Sequence, residues 1–420
     1  MGRREKFRAG FWLGHASPRH GGVGPYALRT LRALLSEPEP GWHFTLLCHD
    51  ETREAVREIV AASRQPAEVQ LIPAPCPVKF WRRQLRGAAR VVETPSPAGG
   101  FDLAHQNTLR RWLDGLHLDL AHFPTPTPPH PDGHVPYHVP PLLRLKAPHV
   151  VTVHDAQELR FPEYFSPAQR AIRAMHHWQA LDQAHKIIVS YEHVKADLLK
   201  YFRTPPEKIH VCPIPFASIR WPEPTAAEAA RYDEKYKPWR PFLLYAAQTW
   251  PHKNHARLLK ALQIVRQTGE PDLRLICTGQ ENEHQPGVLA RAEELGLRGA
   301  VLLTGAVPEA ELAWLYRNTA LVVVPTEYEA GSFPVLEAMA LGVPVICSDV
   351  TSLPEAIGDR RFVFNPYDVE AMAALIRRML ADAPLRAENV ANGARRAADL
   401  RCVNAAAPFY ATYRSLVGSA

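Results

Sequence analysis

Short apolar runs rich in Val, Leu and Ile recur through the second half of the chain, at 242–247, 273–277, 301–304, 321–325 and 343–347. Each is followed by a stretch with helical spacing, such as NHARLLKALQIVRQ at 254–267. This alternation predicts a parallel sheet covered by helices on both faces. The first half is less regular but similar. It predicts strands at 9–13, 43–48, 69–72, 119–123, 149–153, 186–189 and 209–212, and helices at about 25–35, 167–184 and 192–202. The simplest architecture is α/β, with two doubly wound, Rossmann-like domains facing each other. Ligands of such sheets sit beyond the carboxyl ends of the strands, so the residues just after each run are the first to consider.

Proline sets the boundaries. Nine of the 40 prolines fall between Pro124 and Pro148, where neither helix nor central strand can be sustained, so that stretch reads as a long surface loop. A second proline-interrupted segment, at 212–241, separates the two alternating regions. The expected division is an N-terminal domain over 1–215, a linker over 216–240 and a C-terminal domain over 241–402. A length of 420 residues suits two domains.

Composition narrows the class only a little. Hydrophobic residues make up 46% and charged residues 22%, which excludes a disordered or fibrous chain. The formal charge of +6 is compatible with anionic ligands or an anionic membrane surface. No zinc-finger pattern, heptad basic region or RNA-binding aromatic signature accompanies it, so no nucleic-acid partner is expected. Cys48, Cys76, Cys212, Cys277, Cys347 and Cys402 are scattered without a C-x-x-C pair, and read as buried free thiols in a reducing compartment. No apolar stretch approaches the roughly 18 residues of a membrane span, and the expected location is the cytoplasm. Oligomeric state is not readable from the sequence.

Candidate chemistry begins after the run LVVVP (321–325), in TEYEAGSFPVLEAMALGVPVICSD (326–349). Glu329 and Glu337 are separated by seven residues around a turn that becomes a helix near Pro334. Proline suits a first helical turn, Gly331 and Ser332 permit close backbone approach, and the free amides of a helix start attract phosphate. A diphosphate can dock there, with Glu337 taking ribose hydroxyls and Glu329 reaching toward a transferred group. The alternative is a capped helix with solvent-exposed acids.

This segment resembles the E-x7-E signature of glycosyltransferase family 4, retaining enzymes of the GT-B fold, in which two Rossmann-like domains face a central cleft. GGVGPYALRTL (21–31) resembles the family's glycine loop, and VVTVHDAQELRFPEYFS (150–166) resembles its strand ending in His-Asp. YAAQTWPHKNHARLLKAL (245–262) resembles its phosphate-binding Lys-Asn turn. The His-Asp and WPHKNH segments are most similar to the mannosyltransferase-like branch that builds bacterial surface polysaccharides.

The resemblance implies transfer of a hexose from a GDP- or UDP-linked sugar to a saccharide or lipid-linked saccharide, with no metal and no other cofactor. It implies catalytic roles for His154, Lys253 and Glu329. Donor binding would fall to Gly22, Gln248, Lys253, Gly331, Ser332, Phe333 and Glu337, and the acceptor or sugar rim to Gly21, Gly24 and Asp155. Bottom-up chemistry agrees for Lys253, since a fixed ammonium stabilises the charge that grows on a departing diphosphate. The other reading of Lys253 is an exposed lysine at a helix start. His154 and Asp155 end an apolar strand and so fall on a ligand-binding rim, although a single histidine is commonly an ordinary hydrogen-bonded residue. The GGVG glycines can let the backbone approach a diphosphate or can simply form a tight turn.

Two positions depart from the family. Gln248 stands where an arginine is common, five residues before the lysine, and Ala330, Gly331 and Ser332 replace the usual Gly-Phe-Gly. The first leaves fewer positive charges on the leaving group. A nucleotide-sugar epimerase, a phosphorylase, a non-catalytic nucleotide-sugar-binding protein and a hydrolase using both glutamates therefore stand as alternatives.

Three further features complete the reading. The basic amphipathic stretch VKFWRRQLRGAARVV (78–92) reads either as a peripheral membrane contact or as a helix with one core face and one solvated face. His130, His134 and His138 recur every four residues, but Pro131 and Pro136 forbid the helix that would gather them around a metal. The C-terminal helix APFYATYRSLVG (407–418), within 403–420, is expected to cross back onto the first domain.

Overall fold

A computed structural model describes residues 6–14, 23–73, 103–125, 145–216, 221–331, 333–402 and 404–417. Gly21, Gly22, Ser332, Cys76, His130, His134, His138 and the 78–92 stretch lie outside the described residues, as does most of the expected loop between Pro124 and Pro148. The chain forms two compact units, Met1–Ser218 with Asn404–Ala420, and Ile219–Val403.

The first unit contains β1 (Phe7–Trp12), β2 (Trp42–Cys48), β3 (Ala67–Leu71), β4 (Leu120–Phe123), β5 (His149–Thr152), β6 (Lys186–Val189) and β7 (Ile209–Val211). They form a parallel sheet in the order β3-β2-β1-β4-β5-β6-β7, which reverses at β1. Alternation along the strands builds a core on each face. Ala9, Phe11, Phe44 and Leu46 pack on one side with the helix Val23–Ser36, while Trp12 and Leu47 face the other. There they meet Leu109 and Leu113 of the helix Leu103–Gly115, together with Val194 and Leu198 of the helix Glu192–Phe202.

The C-terminal helix Ala407–Val417 belongs to this unit and buries Phe409, Tyr410 and Tyr413 against the first core. Tyr410 Oη donates to the Leu34 carbonyl at 2.7 Å, and the Ala406 N–H donates to Glu37 at 3.1 Å.

The second unit holds β8 (Phe242–Ala246), β9 (Arg274–Thr278), β10 (Val301–Leu303), β11 (Leu321–Val324), β12 (Val345–Ser348) and β13 (Val363–Phe364). Their order, β10-β9-β8-β11-β12-β13, repeats the first unit's arrangement and reverses at β8. β8 and β11 are parallel neighbours, with Leu243 beside Leu321 and Leu244 beside Val322, so the loops that follow them leave the same sheet edge side by side.

The expected linker over 216–240 is corrected. It contains the helix Ala226–Tyr236, capped reciprocally by Thr225 and Glu228, which belongs to the second unit. The prolines flank this helix instead of interrupting it. Tyr236 lies on Trp314 and donates to Glu311 at 2.7 Å. Cys48, Cys212, Cys277 and Cys347 are buried free thiols. No described helix is long and apolar enough to cross a membrane.

Candidate functional site

The turn after β8 delivers Lys253. Pro251–Lys253 form one 3-10 turn, and Asn254 follows in the left-handed region at φ 61° before the helix His255–Gln267 begins. Asparagine tolerates that conformation better than most residues. Its side chain is also well held, since Nδ2 donates to the carbonyls of Pro325 at 2.9 Å and Pro366 at 3.0 Å. Tyr245 Oη reaches up from β8 to the Lys253 carbonyl at 3.1 Å. The next residue, His255, is held neutral at a pKa of about 3, by burial first and by the nearby Lys253 charge second.

The loop after β11 is tied to this turn. The His252 carbonyl accepts from Thr326 Oγ1 at 3.0 Å and from the Glu327 N–H at 2.8 Å. Glu327 is also paired with Arg257 of the neighbouring helix. Glu329 comes next, and Lys253 Nζ donates to its Oε2 at 2.7 Å. Both side chains are mostly withdrawn from solvent, at 18% and 12% exposure, which strengthens the attraction relative to a surface pair.

Gly331 and Phe333 are half-buried at the start of the helix Phe333–Ala340, where Pro334 occupies the second position. Glu337 lies inside that helix, buried, and accepts from Tyr316 Oη at 3.0 Å. It is not the solvent-exposed acid of the alternative reading. Gln248 is anchored by Trp250, whose Nε1 donates to its Oε1 at 2.6 Å. Gly279, at φ +146°, backs this turn so closely that a Cβ there would lie 2.7 Å from the Gln248 nitrogen.

In the first unit, His154 and Asp155 follow β5. His154 Nε2 lies 2.7 Å from the Pro124 carbonyl, which can only accept, so the proton sits on Nε2 and Nδ1 carries the lone pair. The edge of the Tyr26 ring contacts the imidazole at 4.7 Å between centroids, and burial lowers the His154 pKa. Asp155 is engaged by protein partners, accepting from Arg173 Nη2 at 2.6 Å and from the Gln157 N–H at 3.2 Å. Arg173 continues to the buried Glu158 at 2.8 Å, and His177 Nδ1 closes the network at 2.9 Å. Burial works to raise the Glu158 carboxyl, but the hydrogen bond and charge of His177 and the Arg173 guanidinium outweigh it, holding the pKa at about 2.

Gly24 sits in the first turn of the helix Val23–Ser36 and is buried. The structure thus brings Lys253 and Glu329 into contact and places Gln248, Gly331, Phe333 and Glu337 on elements adjoining them in the same unit. Sequence reasoning missed Tyr316, Gly279, Thr351 and Ser352. Only the glycine carried a signal, and a weak one, as the residue type suited to a positive φ.

Two parallel sheets with reversed strand order are the architecture of glycosyltransferases of the GT-B kind. Over its full length the fold resembles the sucrose-phosphate synthase of Thermosynechococcus elongatus, with a TM-score of 0.67 and 17% identity, covering 99% of this chain and 100% of that one. The profile of Glycosyltransferase Family 4 matches residues 20–215, and that of Glycosyl transferases group 1 matches residues 228–396. The chain belongs to glycosyltransferase family 4.

Among curated relatives, O-antigen chain mannosyltransferase B of Escherichia coli is 33% identical over 249 residues, covering 58% of this chain and 64% of that protein. The D-inositol 3-phosphate glycosyltransferase of Segniliparus rotundus is 29% identical over 185 residues, covering 43% of this chain. The matches span 64% and 41% of the lengths of these two relatives.

Proposed function

We propose that this protein is a retaining hexosyltransferase. It moves a hexose, with mannose favoured, from a GDP- or UDP-linked donor to a hydroxyl of a saccharide or lipid-linked saccharide, in the synthesis of cell-surface polysaccharide. The activity is placed in the cytoplasm, and the reading assigns no metal and no cofactor beyond the nucleotide sugar. The observation that carries it is the 2.7 Å contact between Lys253 and Glu329, beside the start of the helix Phe333–Ala340. A departing diphosphate needs a fixed cation and free helix amides where its charge grows, and a sugar needs a hydrogen-bond acceptor next to them.

In this reading Lys253 neutralises the diphosphate and Glu329 holds the sugar hydroxyls. Glu337 takes the ribose, while Gly331, Ser332 and Phe333 bring the backbone close to phosphate, with Gln248 nearby. The acceptor oxygen bonds to the anomeric carbon on the face from which the diphosphate oxygen departs. The diphosphate takes the acceptor proton, so no protein base is consumed. Charge stabilised in the transition state more than in the ground state lowers the barrier. His154, with its lone pair on Nδ1, is assigned to contact with the acceptor. The choice of mannose and of a surface polysaccharide is supported by the likeness to O-antigen chain mannosyltransferase B.

Thermal stabilisation by GDP, UDP, ADP, NAD and the common nucleotide sugars tests the reading, since a ligand at 100 times its Kd adds about 2.7 kcal/mol. A shift with one nucleoside diphosphate that disappears in Lys253→Ala is the expected outcome. No shift with any nucleotide, or a shift with NAD alone, overturns it.

A further inference from the structure

The main chain of Glu329 is held by the loop that follows β12. The Glu329 N–H donates to Thr351 Oγ1 at 3.1 Å, and the same hydroxyl donates back to the Glu329 carbonyl at 2.9 Å. Ser352 Oγ donates to that carbonyl as well, at 3.0 Å. Both lone pairs of the Glu329 carbonyl are therefore used by two adjacent hydroxyls, and its N–H is used by one of them.

Two features make this arrangement unusual for an ordinary loop. Thr351 is at φ 48°, in the left-handed region where a β-branched residue is an outlier. Ser352 precedes the helix Leu353–Ile357 as its N-cap, yet its hydroxyl makes no capping bond. Serine in that position normally satisfies a free amide of its own helix. Here a strained backbone and a forgone cap coincide at a residue pair that holds the main chain of Glu329. Strain that persists beside a functional residue points to a role there.

Downstream of Glu329, Ala330 and Gly331 bring no polar side chain to the loop. Upstream, the Thr326 and Glu327 bonds to His252 fix the loop relative to Lys253. The Thr351–Ser352 pair supplies a further constraint on the Glu329 main chain.

We propose that Thr351, seconded by Ser352, is a positioning residue for the sugar-binding carboxylate of Glu329. It fixes the peptide from which that carboxylate reaches the hexose of the donor, while the diphosphate depends on Lys253. This inference rests on the donor-site reading above. It makes Thr351 a determinant of how strongly the site distinguishes a nucleotide sugar from the bare nucleoside diphosphate.

The test is calorimetric binding of GDP, GDP-mannose, UDP and UDP-glucose to the full chain and to three variants. Thr351→Gly removes the hydroxyl but suits the left-handed backbone, so the fold survives. It is expected to weaken the bound nucleotide sugar by about five- to tenfold, the weight of one or two sugar hydrogen bonds, and to change its diphosphate by less than about twofold. Thr351→Ser, which keeps the hydroxyl, is expected to restore discrimination to within about twofold of the parent. A role confined to holding the loop together would weaken both ligands equally. Lys253→Ala separates the two ideas. If Lys253→Ala is deficient in diphosphate binding but Thr351→Gly binds the nucleotide sugar normally, or Thr351→Ser fails as Thr351→Gly does, the positioning role alone is overturned. If none of the four compounds binds, or Lys253→Ala binds diphosphate normally, the donor-site reading falls and this role with it.

Discussion

The Tyr413 hydroxyl lies 2.7 Å from Nδ1 of His122, although 291 positions separate them in the chain. His122 stands on β4 with its other nitrogen 2.8 Å from Thr152 of β5, so one fully buried imidazole joins the centre of the first sheet to the C-terminal helix. Tyr413→Phe leaves that nitrogen without its partner in an apolar setting, and is expected to cost about 1–3 kcal/mol, read as a lowered urea midpoint. Removing residues 404–420 takes away Phe409 and Tyr410 as well and uncovers Leu34, Trp42 and Phe44, and is expected to leave the first unit unable to fold, as followed by near-ultraviolet circular dichroism.

Lys253→Ala and Glu329→Gln are expected to leave the fold intact and to lower transfer by about 10²–10³-fold, the scale of losing one charge-stabilising contact in a transition state. The variants differ in binding. Lys253→Ala loses affinity for the diphosphate. Glu329→Gln retains it, because the carboxylate that engages the ammonium at 2.7 Å is gone. Initial rates of nucleoside diphosphate release, together with equilibrium binding of GDP and UDP, check both. Near-native turnover in either variant would remove these residues from the active site.

Stability is expected to fall on acidification well before the carboxylates titrate. Burial, foremost, holds His122 and His255 at about 3 and His149 at about 4. An unfolded histidine titrates near 6.5, so below that pH the unfolded chain binds protons that the folded chain refuses. The contribution is complete above pH 6.5 and is lost as pH falls toward 3, at up to about 1.4 kcal/mol per pH unit for each group. Glu158 extends the trend lower, because its stabilisation is lost between the unfolded value near 4.5 and about 2. Melting temperatures from pH 8 to pH 4 test the slope. A flat profile across that range would refute it.

Gly279→Ala is expected to destabilise the second unit by about 1–3 kcal/mol through overpacking against backbone that has nowhere to move. The added Cβ would meet the Gln248 nitrogen at 2.7 Å and the Ala247 carbonyl carbon at 2.8 Å. Because the collision pushes on the turn leading to Lys253, diphosphate affinity should fall in the same variant. Urea unfolding and calorimetry with GDP and UDP report the two effects.

Legibility in the sequence followed the size of the physical signal. The run at 321–325 became β11 (Leu321–Val324), and the helix expected at 192–202 spans Glu192–Phe202, because several apolar residues in register outweigh local noise. β13 has two residues, too few for any period to register. The helix Leu103–Gly115 was missed because its apolar positions are interrupted by polar ones. Lys253 and Glu329 were found through their motifs. Their contact across 76 positions depends on β8 and β11 being neighbours, which spacing along the chain does not encode. Thr351 was hidden for a different reason. Threonine advertises no left-handed backbone, and only the fold imposes it there.

The crossing of the C-terminal segment into the first unit also fixes an order of events during synthesis. A ribosome working toward the carboxyl end finishes every residue of the second unit before Phe409, Tyr410 and Tyr413 emerge, so the unit that begins first is completed last. Until then Phe44, Leu34 and Trp42 lack the aromatic cover they have in the finished protein. The nascent chain therefore carries these apolar side chains without that cover through the whole of that interval, when transiently exposed apolar surface favours association with other chains.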